Sequence, residues 1–136
     1  MSRIWVPTAD IAAALDGLPG APGVEVVAPD GAPLPASAGQ VEFYVPPFFP
    51  APPAVAAISQ LPKLAVVQAL TAGVDRLRPA VPAGVTLCNA RGVHDASTAE
   101  WVVGAMLAAL RDFPFFAREQ AAQRMTDRFA QGRPPR

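Results

Sequence analysis

Proline clusters constrain this chain more than any other feature, because they divide it into short segments. The 136 residues include 17 prolines, about one residue in eight, where average usage is near 5%. Many of them stand in "LPGAPG" (18–23), "APDGAPLP" (28–35) and "VPPFFPAPP" (45–53). Proline fixes φ and lacks a backbone donor, so these clusters are predicted to be loops. The fold must therefore be assembled from short elements joined by turns.

Strands and helices are predicted to alternate between these loops. Apolar runs typical of strands occur at 3–6, 24–28, 41–45, 64–70 and 85–89. Helical spacing follows the N-cap candidate Thr8 over 9–18 and recurs at 53–61 and 74–81. The run 64–70 is nearly continuous and apolar, as expected for a strand covered on both faces. This alternation indicates an α/β fold with an open, mostly parallel sheet and right-handed crossovers.

A longer helix is predicted to start at residue 97. Ser97 and Glu100 have the spacing of a capping box, in which each side chain satisfies a backbone donor at the helix start. Apolar residues then recur at three- and four-residue intervals as far as Leu110. Pro114 is predicted to kink or break this helix, and residues 115–125 to resume it.

Composition and charge exclude several classes of protein. Half of the residues are hydrophobic (51%) and 16% are charged, which is a globular composition. Eleven basic residues balance eleven acidic ones, so neither nucleic acid nor a membrane surface is an expected partner. A single cysteine, the absence of a secretion signal and the absence of a long apolar run predict a cytoplasmic location.

Two junctions between a strand and the following segment are candidate binding sites. In "QALTAGVD" (68–75), Gly73 follows the buried strand, and exposed N–H groups at such a turn can bind a carboxylate or phosphate. In "CNARGVHDASTAEW" (88–101), His94 and Asp95 precede the long helix. Simpler explanations stay open: Gly73 as a tight-turn residue, His94 as a surface residue, Asp95 as a partner of the helix dipole.

Other kinds of site find little support in the residues. One histidine and one cysteine provide no metal-ligand pair, and Cys88 is expected to be a small buried apolar residue. Neither the Gly-x-Ser-x-Gly turn of hydrolases nor the Gly-x-Gly-x-x-Gly dinucleotide motif occurs. A phosphoacceptor receiver domain would need clustered acids after the first strand, where only Asp10 is near. No catalytic residue is predicted.

The stretch from residue 61 to 125 resembles the D-isomer-specific 2-hydroxyacid dehydrogenases, the phosphoglycerate and glyoxylate/hydroxypyruvate dehydrogenase group. The resemblance is carried by the "TAGVD" turn (71–75), the "N-A-x-G" strand end (89–92) and the "TAEW" helix start (98–101). Residues 1–60 match the order of elements in that family but contain no diagnostic motif.

The resemblance implies a flavodoxin-like substrate domain over 1–96, a long crossover helix over 97–125 and an irregular tail over 126–136. It further implies that the backbone of Ala72, Gly73 and Val74 holds the substrate carboxylate and that Thr98 lies near the cofactor. His94 stands where many members have an asparagine near the substrate. Asn89 is expected to fix the loop.

The resemblance also implies that the NAD(P)-binding domain is absent, with its glycine-rich loop and the catalytic arginine, glutamate and histidine. We therefore expect a truncated, inactive substrate-binding portion of an oxidoreductase acting on the CH–OH group of 2-hydroxy acids, which alone does not bind NAD(P) tightly. The alternative is a non-enzymatic module that binds small carboxylates or forms a homodimer through the long helix.

Overall fold

The computed structural model describes residues 2–16, 18–20 and 22–125. The predicted tail over 126–136 lies outside the described residues. The strands are β1 (Arg3–Val6), β2 (Gly23–Val26), β3 (Val41–Tyr44), β4 (Val66–Gln68) and β5 (Thr86–Cys88). The α-helices are α1 (Ala9–Leu15), α2 (Pro52–Ala56), α3 (Asp95–Leu110) and α4 (Phe113–Ala121). Short 3-10 helices occupy Ala36–Gln40, Ala57–Gln60 and Arg78–Ala80. The chain divides into two compact units, one ending at Val93 and one beginning at His94.

The first unit contains a five-stranded, all-parallel sheet in the order β2-β1-β3-β4-β5. This is the strand order of flavodoxin-like folds, so the predicted α/β class and sheet type are confirmed. Because all strands are parallel, their carboxyl ends lie along one edge of the sheet. The loops after β3, β4 and β5 leave from neighbouring positions on that edge.

Aromatic residues from adjacent strands form the centre of the core. Trp5 of β1 and Tyr44 of β3 are fully buried and make an edge-to-face contact with ring centroids 6.2 Å apart. The Tyr44 hydroxyl donates a hydrogen bond to the carbonyl of Ala54 in α2 (3.2 Å). Burial raises the pKa of the Tyr44 phenol well above its ordinary value, since the anion would lose its hydration.

The start of each early helix follows the sequence prediction. Thr8 is the N-cap of α1, and its hydroxyl accepts a hydrogen bond from the Ile11 N–H (3.5 Å). Proline occupies the first turn of α2, where its missing N–H costs no internal hydrogen bond.

Two predicted elements are shorter in the structure. Only Val66–Gln68 of the predicted strand 64–70 pair in the ladder; Val67 is buried, while both neighbours are half-buried. This strand is therefore not covered completely on both faces. The predicted helix over 74–81 is a turn closed by the N–H groups of Leu77 and Arg78 on the Val74 carbonyl, followed by a 3-10 turn.

In the second unit, the long helix starts earlier than predicted, and it ends before Pro114. α3 begins at Asp95 with His94 as N-cap, so Ser97 lies inside the first turn and no capping box forms. Instead, the Ser97 hydroxyl donates to the His94 carbonyl (3.1 Å). The helix ends at Leu110, and Pro114 occupies the first turn of α4 rather than the break itself.

Apolar side chains of α3 and α4 are largely exposed. All residues of α3 except Ala108 are exposed, including Trp101 at 72% and Met106 at 61%. Contiguous exposed apolar surface of this kind is uncommon on monomeric globular proteins. Among the described residues, no helix has the length and hydropathy required to cross a bilayer.

Candidate functional site

The turn after β4 is held by the loop that follows β5. The Ala90 N–H donates to the Thr71 carbonyl (3.0 Å), and the Asn89 side-chain amide donates to the Ala72 carbonyl (2.9 Å). Within the turn, the Thr71 hydroxyl donates to the Gly73 carbonyl (2.6 Å). The expected role of Asn89 in fixing the loop is confirmed by its contact. The carbonyls of Thr71, Ala72 and Gly73 thus all accept hydrogen bonds from within the protein.

The amides of the same turn have no such partners. Within residues 2–16, 18–20 and 22–125, no hydrogen bond is made by the N–H groups of Ala72, Gly73 or Val74. The Val74 carbonyl, by contrast, accepts from both Leu77 and Arg78. Successive backbone N–H groups without internal acceptors are a typical environment for an anion. This arrangement can donate several hydrogen bonds to one carboxylate.

The conformation of Gly73 does not by itself require glycine. Its φ lies outside the left-handed region, whereas Gly92, in the loop after β5, has a φ of 89° that other residues rarely adopt. A Cβ on Gly73 would come within 3.6 Å of an Asp75 carboxylate oxygen and of no other residue beyond its chain neighbours, within the described part of the chain. The backbone conformation of Gly73 therefore gives no support to the tight-turn explanation.

A cavity of about 340 Å³ opens beside this turn at the carboxyl edge of the sheet. It is lined by residues of the loop after β3 and of the loop after β4, at positions 48–50, 71 and 73–77. Phe48 and Phe49 form an edge-to-face pair with centroids 4.7 Å apart. Phe49 is 77% exposed in spite of its size. The cavity thus combines backbone amides with an aromatic wall.

Sequence reasoning missed this aromatic wall. Phe48 and Phe49 lie in a proline cluster that the sequence predicts only to be a loop. The missed signal was their position directly after β3, because the loop after a neighbouring parallel strand reaches the same edge of the sheet. Two consecutive phenylalanines flanked by prolines at that position are poorly explained as a connection alone.

One acidic and one basic side chain also line the cavity. Asp75 and Arg76 follow the turn directly, and both are exposed to solvent. Arg76 can attract an anion, whereas Asp75 repels one, and the strength of both effects decreases with salt. Selectivity for a carboxylate at this turn would therefore come from its amides rather than from a strong net charge.

His94 and Thr98 belong to the second unit, and Ala72, Gly73 and Val74 belong to the first. The His94 side chain does not cap α3; its carbonyl accepts from the Ser97 hydroxyl and from the Thr98 N–H (2.9 Å). Thr98 is exposed on the first turn of α3. The contacts of His94 with substrate and of Thr98 with cofactor remain predictions.

The connection from β1 to α1 does not fit the pyrophosphate of a dinucleotide. In nucleotide-binding α/β folds, glycines after the first strand let pyrophosphate approach the start of the following helix. Here the connection from β1 to α1 consists of Pro7 and Thr8, and the Thr8 hydroxyl already accepts an amide of that helix. A pyrophosphate at this position would have to displace an N-cap, so any nucleotide contact must be made elsewhere.

Comparison with solved structures supports the resemblance at the level of the fold. A D-isomer-specific 2-hydroxyacid dehydrogenase from Xanthobacter autotrophicus Py2, crystallised with NADPH and MES, aligns with a TM-score of 0.68 and 21% identity. A D-isomer-specific 2-hydroxyacid dehydrogenase family protein from Aeromonas salmonicida subsp. salmonicida A449 aligns with a TM-score of 0.68 and 20% identity. The chain has the fold of part of these proteins. Each alignment covers 99% of this chain and 42% of the solved one. No protein-family model matches the chain, and no curated protein matches it significantly.

Proposed function

We propose that the first unit binds the carboxylate of a 2-hydroxy or 2-keto acid through the N–H groups of Ala72, Gly73 and Val74. The observation that carries this proposal is the turn after β4, where the carbonyls accept hydrogen bonds and the amides donate none to any residue that the structure describes. A carboxylate would receive charge-assisted hydrogen bonds there, which are stronger than those between neutral groups. The shared fold with two 2-hydroxyacid dehydrogenases supports the same assignment.

The same likeness supports a proposal for the reaction class. We propose that the chain is the substrate-binding portion of an NAD(P)-dependent oxidoreductase, with a substrate domain over 1–96 and a connecting helical segment over 97–125. Hydride would pass between the nicotinamide and C2 of the acid. His94 would lie near the substrate and Thr98 near the cofactor. Because the general acid/base and the cofactor loop would come from another domain, we expect this chain alone to show no turnover with glyoxylate and NADPH.

The carboxylate site is tested by titrating the 136-residue chain with D-lactate while recording ¹⁵N NMR spectra. We expect the largest shifts at the amides of residues 72–74. Gly73→Ala should weaken binding by about tenfold, corresponding to roughly 1.4 kcal/mol, because the added methyl group obstructs the approach to these amides. Gly39→Ala is the matched control, since Gly39 also has an ordinary φ and no neighbour within 4 Å of an added Cβ in the described part of the chain.

Gly73→Ala should leave the melting temperature unchanged or slightly higher, because alanine restricts the unfolded chain and the native backbone accommodates it. If Gly73→Ala weakened binding only because the variant unfolds, that result would count against the proposal. Ligand-induced shifts of NMR signals across the sheet that leave residues 72–74 unchanged would also count against it. If Gly39→Ala weakened D-lactate binding as much as Gly73→Ala does, that result would also contradict the proposal.

The exposed apolar surface of α3 favours a second function, association between copies of the chain. Val103, Leu107 and Leu110 recur at four- and three-residue intervals, and all are exposed by half or more. Helices with such stripes pack against other helices in water, because association removes apolar area from solvent. We propose that α3 mediates a homodimer.

A further inference from the structure

We infer that the acid bound at this site carries an apolar side chain, aromatic or branched, which packs against Phe48 and Phe49. This inference rests on the proposed carboxylate site and specifies its substrate class. It starts from the position of the two rings in the same cavity as Gly73 and Val74. A ligand whose carboxylate is bound at Gly73 and Val74 would therefore place its C2 substituent beside the two rings.

The Phe49 ring of the aromatic wall is largely exposed. Phe49 is 77% exposed and Phe48 is 42% exposed, although both stand in a segment (45–53) whose five prolines restrict its conformations. Their edge-to-face contact fixes the orientation of one ring relative to the other. Ring faces held in place beside polar donors are the usual composition of a small-molecule site, where apolar walls bind the body of the ligand and a few polar groups orient it.

The size of the cavity agrees with an acid larger than the two-carbon members of the class. Its volume of about 340 Å³ lies at the lower end of the range for small-molecule sites. An acid without a side chain would leave the rings in contact with water. A phenyl or branched alkyl group would cover them and gain the free energy of removing apolar surface from water.

A negatively charged substituent is disfavoured by the same cavity. Asp75 lines it, and its carboxylate would repel an anionic substituent that lacks the amide donors of the turn. Arg76 offers a compensating positive charge, but it is an exposed side chain on the residue that follows. A phosphate or second carboxylate would face both charges, whereas a neutral apolar group avoids the repulsion.

The test compares three 2-hydroxy acids on the 136-residue chain by ¹⁵N and aromatic ¹³C NMR titration: D-lactate, D-3-phenyllactate and D-3-phosphoglycerate. We expect D-3-phenyllactate to bind about tenfold more tightly than D-lactate, which corresponds to roughly 1.4 kcal/mol. The Phe49 ring signals should shift with D-3-phenyllactate and not with D-lactate. D-3-phosphoglycerate should bind no more tightly than D-lactate.

Phe49→Ala should lower the affinity for D-3-phenyllactate to that for D-lactate and leave D-lactate unaffected. Phe113→Ala is the matched control, since Phe113 is also an exposed phenylalanine (57%) and lies in the second unit. Equal affinities for D-lactate and D-3-phenyllactate, both weakened by Gly73→Ala, would overturn this inference and leave the carboxylate site intact. Failure of all three acids to shift residues 72–74 would overturn the proposed function itself.

Discussion

Asn89 connects the two loops that form the candidate site. Its side-chain amide donates to the Ala72 carbonyl, and its side-chain oxygen accepts from the Arg91 N–H (3.4 Å). One residue at the end of β5 thereby orients both the turn after β4 and the loop after β5. The sequence predicted this role from the motif, because an asparagine at the end of a strand commonly bonds to nearby backbone.

Asn89→Ala should therefore weaken ligand binding more than it weakens the fold. Loss of an exposed hydrogen bond costs about 1 kcal/mol or less, so the melting temperature should fall by only a few degrees. D-lactate binding should fall several-fold, because the Ala72 carbonyl is released and the turn loses its orientation. The matched control is Gln60→Ala, which removes a similar exposed bond from a side-chain amide to the Ala56 carbonyl (3.3 Å). Unchanged NMR titrations for Asn89→Ala would contradict this role.

Because of Tyr44, the free energy of unfolding should decrease as the pH becomes alkaline. Burial raises the pKa of its phenol, so the folded state retains the proton more strongly than the unfolded chain. This contribution is fully present below about pH 10, the ordinary tyrosine pKa, and is lost progressively as pH rises above it. Because Tyr44 is the only tyrosine, tyrosinate absorbance reports it alone and should appear together with unfolding.

Tyr44→Phe supplies the comparison for that experiment. It should be less stable by about 1 kcal/mol near neutral pH, since the buried Ala54 carbonyl loses its donor. Its unfolding free energy should then decrease less between about pH 9 and pH 11 than that of the unmodified chain. Parallel pH curves for the two proteins would show that Tyr44 does not determine the alkaline limit.

At the scale of elements, the sequence predicted where strands lie better than where they end. β1 coincides with its predicted range, because the apolar run 3–6 is bounded by Pro7. β4 is shorter than predicted, since apolar residues such as Leu64 and Ala69 are buried without belonging to the strand. Burial of a residue and its pairing within the sheet are separate properties. An apolar run in the sequence predicts burial but does not predict pairing.

The interruption between α3 and α4 is explained by Pro114, although the break lies upstream of it. A helix continued through residue 114 would place the proline ring against the carbonyl of residue 110 and would lose one hydrogen bond. α3 accordingly ends at Leu110, and Asp112 adopts a left-handed conformation with φ of 52°. The sequence indicated Pro114 as the cause of the interruption but predicted the break at the proline itself. The break lies upstream because the proline ring clashes with the carbonyl four residues earlier.

Pro114→Ala should allow one continuous helix from Asp95 to Ala121. Removal of the ring relieves a helix-breaking penalty of about 3 kcal/mol, while Asp112 would leave an unfavourable backbone region. We expect the Cα chemical shifts of Arg111 and Asp112 to become helical and the far-ultraviolet ellipticity to increase. Ala117→Pro, placed one turn later inside α4, should instead lower the helix content. Unchanged shifts at 111 and 112 would mean that Asp112, not the proline, determines the break.

At the scale of the molecule, the parallel order of strands was predictable and the composition of the cavity was not. Alternating apolar runs and helices allow few topologies, and the structure has the flavodoxin-like one. The cavity joins residues 48–50 to residues 71 and 73–77, which are distant in sequence and meet only because β3 and β4 are neighbours. The position of Gly73 beside the cavity follows from a local strand-end motif, whereas that of Phe49 required the strand order.

The exposed surface of α3 gives the prediction that concerns the whole chain. Met106 is 61% exposed in the middle of the helix, between Val103 and Leu110 at intervals of three and four residues, the spacing of a helix–helix seam. If two copies pair through this seam, sedimentation equilibrium should show a monomer–dimer equilibrium. Met106→Glu should shift it towards monomer by at least tenfold, because pairing would bury an uncompensated charge.

Ala105→Glu is the matched control, since it places the same charge on the adjacent, exposed position of α3 outside this seam. It should leave the dimer largely intact. Both variants should melt as the parent does in the monomeric state, because neither position is buried within the chain. A parent chain that stays monomeric over the accessible concentration range would refute pairing through α3, and equal dissociation by both substitutions would assign the contact to another face of the helix.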